Sequence, residues 1–268
     1  MNILILGSNS HIAKGLIHYY EQDENVKLFK WNRNGNEKYP LRLIDVPSNI
    51  KLKNYDMIIN CIGKSYEFSF SDIRLYNYYD DDIIYYLECN KDCLYVNMSS
   101  WIVTQDIKED DIKYKYWLNK KYLELKHRLL PELNIIDLRI PGYFSRWIDL
   151  DSGFLMAEIL KAKLTCDYSK LYFDKNELLY YLTPRHLINI IWDMYKIKGN
   201  KHINLIDRIA PEIKRNIFIN YVPEFKNIYT KGYKKRKINV DLENEYQEWL
   251  KLTATPEEES ACEKGLGQ

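Results

Sequence analysis

The sequence has little of what disulfide-rich, fibrous or membrane-spanning proteins require. Its 268 residues include five cysteines, ten glycines and eight prolines. Five thiols scattered along a long chain do not form a disulfide framework. Cys89 and Cys93 lie four apart, but no second Cys or His pair has the spacing that would complete a zinc site. The low glycine and proline content excludes a fibrous repeat. A run of about 18 apolar residues is also missing, so no membrane span is predicted.

An excess of charge of one sign is missing too. Lys and Arg number 39 and Asp and Glu 38, which gives a formal net charge of +1. This balance excludes a chain whose whole surface is built to bind nucleic acid. The apolar start, residues 1–6, is too short for a signal peptide, and we expect a cytoplasmic protein. What the chain does have is tyrosine, with 24 residues against eight phenylalanines.

The apolar pattern predicts strands that alternate with helices. Short apolar runs predict strands at 2–6, 26–31, 41–46, 56–62, 93–98 and 134–140. Helical spacing predicts helices at 12–20, 73–87 and 113–130. Strands without polar alternation, followed by helices, are typical of a parallel sheet covered on both faces. We therefore predict an α/β fold, a doubly wound Rossmann-type parallel sheet that binds its ligand at the carboxyl ends of the strands.

Beyond residue 145 the alternation is less regular. Helices are predicted at 153–163 and 185–197, and a strand at 202–206. We predict a dinucleotide-binding Rossmann domain with the catalytic residues at 1–145. A small C-terminal substrate-binding cap is predicted at 146–252, and a disordered tail at 253–268.

The turn after the first strand has the spacing of a dinucleotide-binding turn. Gly7, Ser10 and Ala13 stand where the pattern has Gly, Gly and Gly or Ala. Small residues there let the backbone approach a pyrophosphate, which the N-terminus of the next helix attracts. An ordinary capped turn is the alternative, and the position after the first strand favours the cofactor. The predicted contacts are Gly7, Ser8, Asn9, Ser10, His11 and Ile12.

The end of the second strand indicates which dinucleotide binds. A carboxylate there would accept a hydrogen bond from a free ribose 2′-hydroxyl, but the sequence has Asn32 and Arg33. An arginine suits a 2′-phosphate, which favours NADP(H) over NAD(H). A solvated basic turn is the alternative. Asp45, after the third predicted strand, is expected to meet the adenine amino group.

Tyr116 and Lys120 are the candidate catalytic pair. Residues four apart share one face of a helix, and a nearby ammonium lowers the pKa of a phenol. In a chain rich in Tyr and Lys this spacing is common, so the context decides. Ser100 ends the strand before this helix, and Pro141 with Gly142 follows the strand after it.

This order of motifs resembles the short-chain dehydrogenase/reductase superfamily. Within it, the chain is similar to the extended or atypical branch of nucleotide-sugar epimerases, dehydratases and 4-ketoreductases, over about residues 1 to 145. The resemblance implies that Tyr116 is the general acid in carbonyl reduction. Lys120 would lower the pKa of Tyr116 and hold the nicotinamide ribose, and Ser100 would position the reacting oxygen.

The resemblance also implies further contacts. Cofactor contacts are expected from Cys61, Ile62, Gly63, Asn77, Tyr116, Lys120 and Pro141. Substrate contacts are expected from Ser100, Trp101, Arg146 and Arg185, although a plain surface role is an equal alternative for each arginine. Trp101 stands where the dehydratases carry an acid, which argues against dehydration. No metal ligand set is expected.

Three functions follow as hypotheses. The first is an NADP(H)-dependent reductase of a 4-keto sugar on a nucleoside diphosphate, in the synthesis of surface-polysaccharide sugars. The second is a nucleotide-sugar C4 epimerase with tightly bound NAD. The third is a non-enzymatic NADP-sensing regulator on the same scaffold. The superfamily often dimerises through the helices predicted here at 73–87 and 113–130, so a homodimer is also expected.

Overall fold

Six parallel strands form one sheet in the computed structural model, which describes residues 1–35, 39–41, 54–63, 69–152, 154–165, 182–197, 199, 201–204 and 240–253. The strands are β1 (Asn2–Leu6), β2 (Lys27–Trp31), β3 (Met57–Asn60), β4 (Leu94–Ser100), β5 (Ile135–Ile140) and β6 (Lys201–Asn204). Their order is β2-β1-β3-β4-β5-β6. Every neighbouring pair is parallel.

Six α-helices connect or follow these strands in the described parts of the chain. They are α1 (His11–Tyr20), α2 (Phe70–Cys89), α3 (Tyr114–Arg128), α4 (Leu155–Thr165), α5 (Pro184–Tyr195) and α6 (Val240–Thr253). A 3₁₀ turn, Trp101–Thr104, follows β4 directly. The start of α2 is fixed locally, because Ser69 and Asp72 form a reciprocal capping box. None of the described helices is long and apolar enough to cross a membrane.

The predicted α/β class and Rossmann-type parallel sheet are confirmed. The structure adds two elements that the apolar pattern did not reveal, the 3₁₀ turn after β4 and α6. Of the strand predicted at 41–46, only Leu41 is described, and it lies in a turn. Residues 42–46 and 254–268 lie outside the described residues, so the third predicted strand and the disordered tail stay predictions.

The winding of the sheet places a candidate ligand site. The chain runs outward from β1 to β2, and then returns to β3 on the other side of β1. Because parallel crossovers are right-handed, α1 covers one face of the sheet, and α2 and α3 cover the other. The two directions of winding diverge between β1 and β3. In open parallel sheets a ligand binds at the carboxyl ends of the strands at such a switch point.

The chain divides into two compact units. The first comprises Met1–Pro141 with Pro184–Ile206 and holds the sheet, and the second comprises Gly142–Thr183 with Asp207–Gln268. The second unit has its own apolar core, which includes Phe144, Met156 and Trp249. The structure thus groups α5 and β6 with the sheet. That residues 146–252 form a substrate-binding cap stays a prediction.

Candidate active site

Gly7 follows β1 in a conformation that favours glycine. Its φ is +74°, and a Cβ atom there would lie 2.8 Å from three atoms of the Cys61–Ile62 peptide. Any side chain would therefore be strained and would collide with backbone. Gly7 thus lets the first turn and the end of β3 approach each other closely.

Ser10 begins α1 as its N-cap. Its Oγ accepts a hydrogen bond of 3.1 Å from the Ala13 amide, and its backbone is extended. Serine is a preferred cap and glycine a weaker one, which gives the departure from the glycine pattern a physical reason. The first turn of α1 holds no acidic residue, so the positive end of the helix is available to an anion.

A cavity of about 240 Å³ lies where β1, β2 and β3 end. Eight of its lining residues were predicted to contact a cofactor: Gly7, Asn9, Ser10, Asn32, Arg33, Cys61, Ile62 and Gly63. Five more were not singled out from the sequence: Trp31, Asn34, Leu75, Tyr76 and Tyr79. Among the remaining predicted contacts, His11 and Ile12 lie in the first turn of α1 and Asn77 lies on α2. Neither these three nor Ser8, Tyr116, Lys120 and Pro141 are among the lining residues, and Asp45 lies outside the described residues.

Aromatic rings form the α2 side of this cavity. The Trp31 ring meets the Tyr79 ring edge-on at 5.5 Å between centroids. Burial is the main cause that raises the pKa of Tyr76 to about 12, and the charge of the exposed Arg33 acts in the opposite direction. Helical spacing of Leu75, Tyr76 and Tyr79 could predict that they share one face of α2. It could not predict that this face meets the end of β2.

Lys120 is buried on α3 with its ammonium at the end of β4. Its side chain is 6% exposed, and Nζ donates a 2.7 Å hydrogen bond to the Met98 carbonyl oxygen. Nζ lies 5.9 Å from the centre of the Tyr116 ring. Burial lowers the pKa of Lys120 to about 8, and the nearby Asp137 acts in the opposite direction. The structure therefore brings the predicted pair together, with Tyr116 half-buried.

Ser100 ends β4 two residues after Met98, the residue that holds the Lys120 ammonium. Ser100 Oγ accepts a 3.4 Å hydrogen bond from the Ile102 amide, and Trp101 opens the 3₁₀ turn. The loop from this turn to α3 is attached to the helix, since Trp117 Nε1 donates to the Gln105 carbonyl oxygen at 3.1 Å. The same β4 end thus carries Ser100 and anchors Lys120.

The two predicted substrate arginines lie in different units. In the second unit, the Arg146 guanidinium pairs with Glu245 at 3.1 Å and with Glu248 at 3.2 Å. In the first unit, the exposed Arg185 lies over the Tyr19 ring, 5.9 Å from its centre. A diphosphate at Arg146 would compete with two carboxylates. Substrate binding by either arginine stays a prediction.

A buried ionic cluster beside the site was missed in the sequence. His127 on α3 is fully buried, with Nε2 3.0 Å from Asp80 Oδ1 and Nδ1 2.9 Å from Asp137 Oδ1. Burial alone would lower the pKa of His127, but Asp137 and Asp80 outweigh it and raise it to about 10. Against their own burial, the pKa values of both carboxyl groups are lowered, mainly by His127. No short motif joins residues this far apart in the chain.

Two further contacts tie the cluster to neighbouring strands. Asn97 Nδ2 on β4 donates to Asp137 Oδ1 at 2.6 Å, and His202 Nδ1 on β6 lies 3.0 Å from Asp137 Oδ2. In the parts of the chain that the structure describes, no group of three or more His, Cys, Asp or Glu side chains is arranged to hold a metal ion.

Comparison with known proteins places the fold. No protein-family model and no curated protein matches the sequence. Among solved structures, the capsular polysaccharide assembling protein CapF from Staphylococcus aureus superposes with a TM-score of 0.63 at 16% identity, over 96% of this chain and 68% of that one. A dTDP-glucose 4,6-dehydratase from Bacillus anthracis in complex with NAD gives 0.65 at 12%, over 94% and 97%. A GDP-L-fucose synthetase from Naegleria fowleri bound to NADP gives 0.61 at 13%, over 94% and 95%.

These findings identify the class of fold. The parallel sheet with its glycine turn defines an α/β protein of the Rossmann type. More narrowly, the fold is the one found in solved structures of a dTDP-glucose 4,6-dehydratase, an ADP-L-glycero-D-manno-heptose-6-epimerase and a UDP-glucuronic acid 4-epimerase. The resemblance drawn from the sequence is thereby confirmed at the level of the fold.

Proposed function

We propose that the chain is an NADP(H)-dependent reductase that acts on a 4-keto sugar attached to a nucleoside diphosphate. The observation that carries the proposal is the buried Lys120 ammonium beside Tyr116, at the strand end that also bears Ser100. The likeness to CapF, whose name refers to capsular polysaccharide, supports a place in the synthesis of surface-polysaccharide sugars.

The residues around the cavity fit a dinucleotide. Gly7 leaves room for backbone only, and the capped start of α1 offers amide groups to a pyrophosphate. Arg33 lines the cavity beside β2 and suits a ribose 2′-phosphate. Of the similar solved structures, one is in complex with NAD and another is bound to NADP. The proposed preference for NADP(H) therefore rests on Arg33.

The side chains on α3 and β4 supply the acid chemistry. A bound nicotinamide would supply a hydride, while the proton for the substrate oxygen has to come from the protein. Tyr116 would donate that proton, and the Lys120 ammonium would stabilise the resulting phenolate. The Met98 carbonyl holds Lys120 in place for this role. The Ser100 hydroxyl would donate a hydrogen bond to the same substrate oxygen and orient it.

The test is NADPH oxidation with freshly prepared 4-keto sugars on nucleoside diphosphates, run in parallel with NADH. Tyr116→Phe should reduce turnover by about 10²- to 10⁴-fold, because the proton donor is lost, while NADPH affinity stays close to that of the parent protein. Tyr114→Phe is the matched control. Tyr114 lies two residues before Tyr116 at the start of α3 and stacks on Trp117, and it should tolerate the change.

Three outcomes are informative. Turnover that survives in Tyr116→Phe would remove Tyr116 as the acid. Equal use of NADH and NADPH would contradict the role given to Arg33. NAD that copurifies with the protein, without net consumption of NADPH, would instead indicate the C4 epimerase.

A further inference from the structure

The end of β3 and the turn after β1 meet at one peptide group. The Cys61–Ile62 peptide is the group that a Gly7 side chain would strike, and the Cys61 amide donates to the Leu6 carbonyl oxygen at 2.9 Å. Cys61 and Ile62 also line the cavity. The position of this peptide therefore sets one wall of the cavity.

Asn60 holds the peptide from within the protein. Its Oδ1 accepts a 3.0 Å hydrogen bond from the Ile62 amide, and its side chain is buried. Its Nδ2 donates to the Tyr95 hydroxyl oxygen at 3.0 Å. Asn60 is therefore held by β4, on the face of the sheet that α2 and α3 cover.

Tyr95 continues the chain of hydrogen bonds. Its hydroxyl accepts from Asn60 and donates to Asp80 Oδ1 at 2.8 Å. Tyr95 is fully buried, and it is not among the residues that line the cavity. Burying a hydroxyl is unfavourable unless it is hydrogen-bonded, and a phenylalanine would fill the same space. What a tyrosine adds to a phenylalanine here is therefore the hydrogen-bonded link between Asn60 and Asp80.

Asp80, at the end of this series of hydrogen bonds, is held in place by two ion pairs. Besides Tyr95, its carboxylate meets His127 Nε2 at 3.0 Å and Lys126 Nζ at 2.9 Å. Both cations lie on α3, so Asp80 on α2 is fixed by a neighbouring helix. Hydrogen bonds to charged groups are stronger than those between neutral groups. A continuous path therefore runs from α3 to the cavity wall.

We propose that Tyr95 is a positioning residue of the dinucleotide cavity, because its hydroxyl holds Asn60, and through it the Cys61–Ile62 peptide, against the ionic cluster at Asp80. The expected effect on NADPH affinity rests on the proposed function. The expected effect on the Ile62 amide does not depend on that function.

The chain offers a matched control in Tyr86. It is fully buried and belongs to the same hydrophobic cluster as Tyr95. Its hydroxyl accepts a 2.8 Å hydrogen bond from the Tyr55 amide, just before β3 begins. Tyr55 therefore lies at the amino end of β3, whereas the cavity lies at its carboxyl end. Tyr86→Phe and Tyr95→Phe each delete one buried hydroxyl, so a general loss of stability affects both.

The experiment measures hydrogen exchange of the Ile62 amide and NADPH affinity in the full-length chain. In Tyr95→Phe, exchange at Ile62 should accelerate about tenfold relative to the Ile59 amide inside β3, and NADPH should bind about five- to tenfold more weakly. In Tyr86→Phe, both values should stay within about twofold of the parent. Urea unfolding of each variant reports the shared loss of stability.

The outcomes separate the two proposals. Equal effects of the two substitutions at Ile62, or none, would overturn the positioning role. A parent chain that does not bind NADPH would overturn the proposed function, and exchange at Ile62 would still decide the role of Tyr95. If Tyr95→Phe does not fold, Asn60→Ala replaces it, since it removes the acceptor of the Ile62 amide. Unchanged exchange there would again overturn the proposal.

Discussion

The two faces of the sheet differ in chemistry although the same strands form them. On β4 and β5, the face towards α1 carries Val96, Met98, Ile136 and Leu138, which are all buried and apolar. The face towards α2 and α3 carries Asn97, Ser99, Asp137 and Arg139 at the paired positions. Towards the carboxyl ends of β4 and β5, the first face is therefore held by apolar packing. The second carries hydrogen bonds and ion pairs between residues distant in sequence, next to the apolar cluster that includes Tyr95 and Ile135.

The helix α3, which covers this face, has buried polar side chains that pair with those of the strands. Lys120, Glu124 and His127 follow the spacing of one helical face, and all are buried. Glu124 accepts from Ser99 Oγ at 2.6 Å and pairs with the Arg139 guanidinium, also at 2.6 Å. Tyr116 lies one turn before Lys120 in the same row. The stripe that fixes α3 on the sheet is thus continuous with the candidate catalytic pair.

The largest loss of stability is expected from breaking an ion pair on the face towards α2 and α3. Asp137→Ala should lower the free energy of unfolding by about 3 kcal/mol or more, because it leaves the buried His127 without one of its carboxylates. Urea unfolding followed by circular dichroism measures the loss. Leu138→Ala, one residue along on the apolar face, is the control for lost volume. A loss below about 1 kcal/mol for Asp137→Ala would mean that the pair does not hold α3.

These two substitutions also show how much the sequence could reveal. Short apolar runs predicted the strands and helical spacing predicted α3, because the burial of apolar residues leaves a local pattern in the sequence. The spacing of Tyr116 and Lys120 likewise predicted that they share a face. His127 looked like an ordinary residue of a polar helix, because its partners Asp80 and Asp137 become its neighbours only after the sheet forms. Long-range ion pairs leave no local pattern to read.

The pH dependence of stability should also differ between the faces. The pKa of His127 is raised from 6.5 to about 10, so its contribution is fully present below pH 6.5 and is lost as pH rises through about 10. The stability difference between the parent and His127→Gln should therefore shrink over that range. Asp80 and Asp137 have lowered pKa values, so their contributions are present above the ordinary pKa of 3.8 and are lost on acidification below it.

Urea titrations at a series of pH values would measure this difference, and comparing each variant with its parent cancels groups common to both, such as Lys120. On the apolar face, the offset between the parent and Leu138→Ala should not change with pH, since no titrating group is removed. A difference for His127→Gln that stays constant from pH 6.5 to pH 10 would show that His127 is not held charged by its two carboxylates.

The smallest expected effect concerns α1, whose first turn is capped locally by Ser10. Ser10→Ala should destabilise the protein by about 1 kcal/mol, because the Ala13 amide loses its acceptor, while Ser10→Gly should cost only a few tenths of that. Urea unfolding again measures both. The order of the two variants matters more than their size, since glycine is both the tolerated cap and the residue of the usual dinucleotide turn. If glycine were the worse of the two, Ser10 would be required by something other than capping, and the cavity that it lines would be the first place to look.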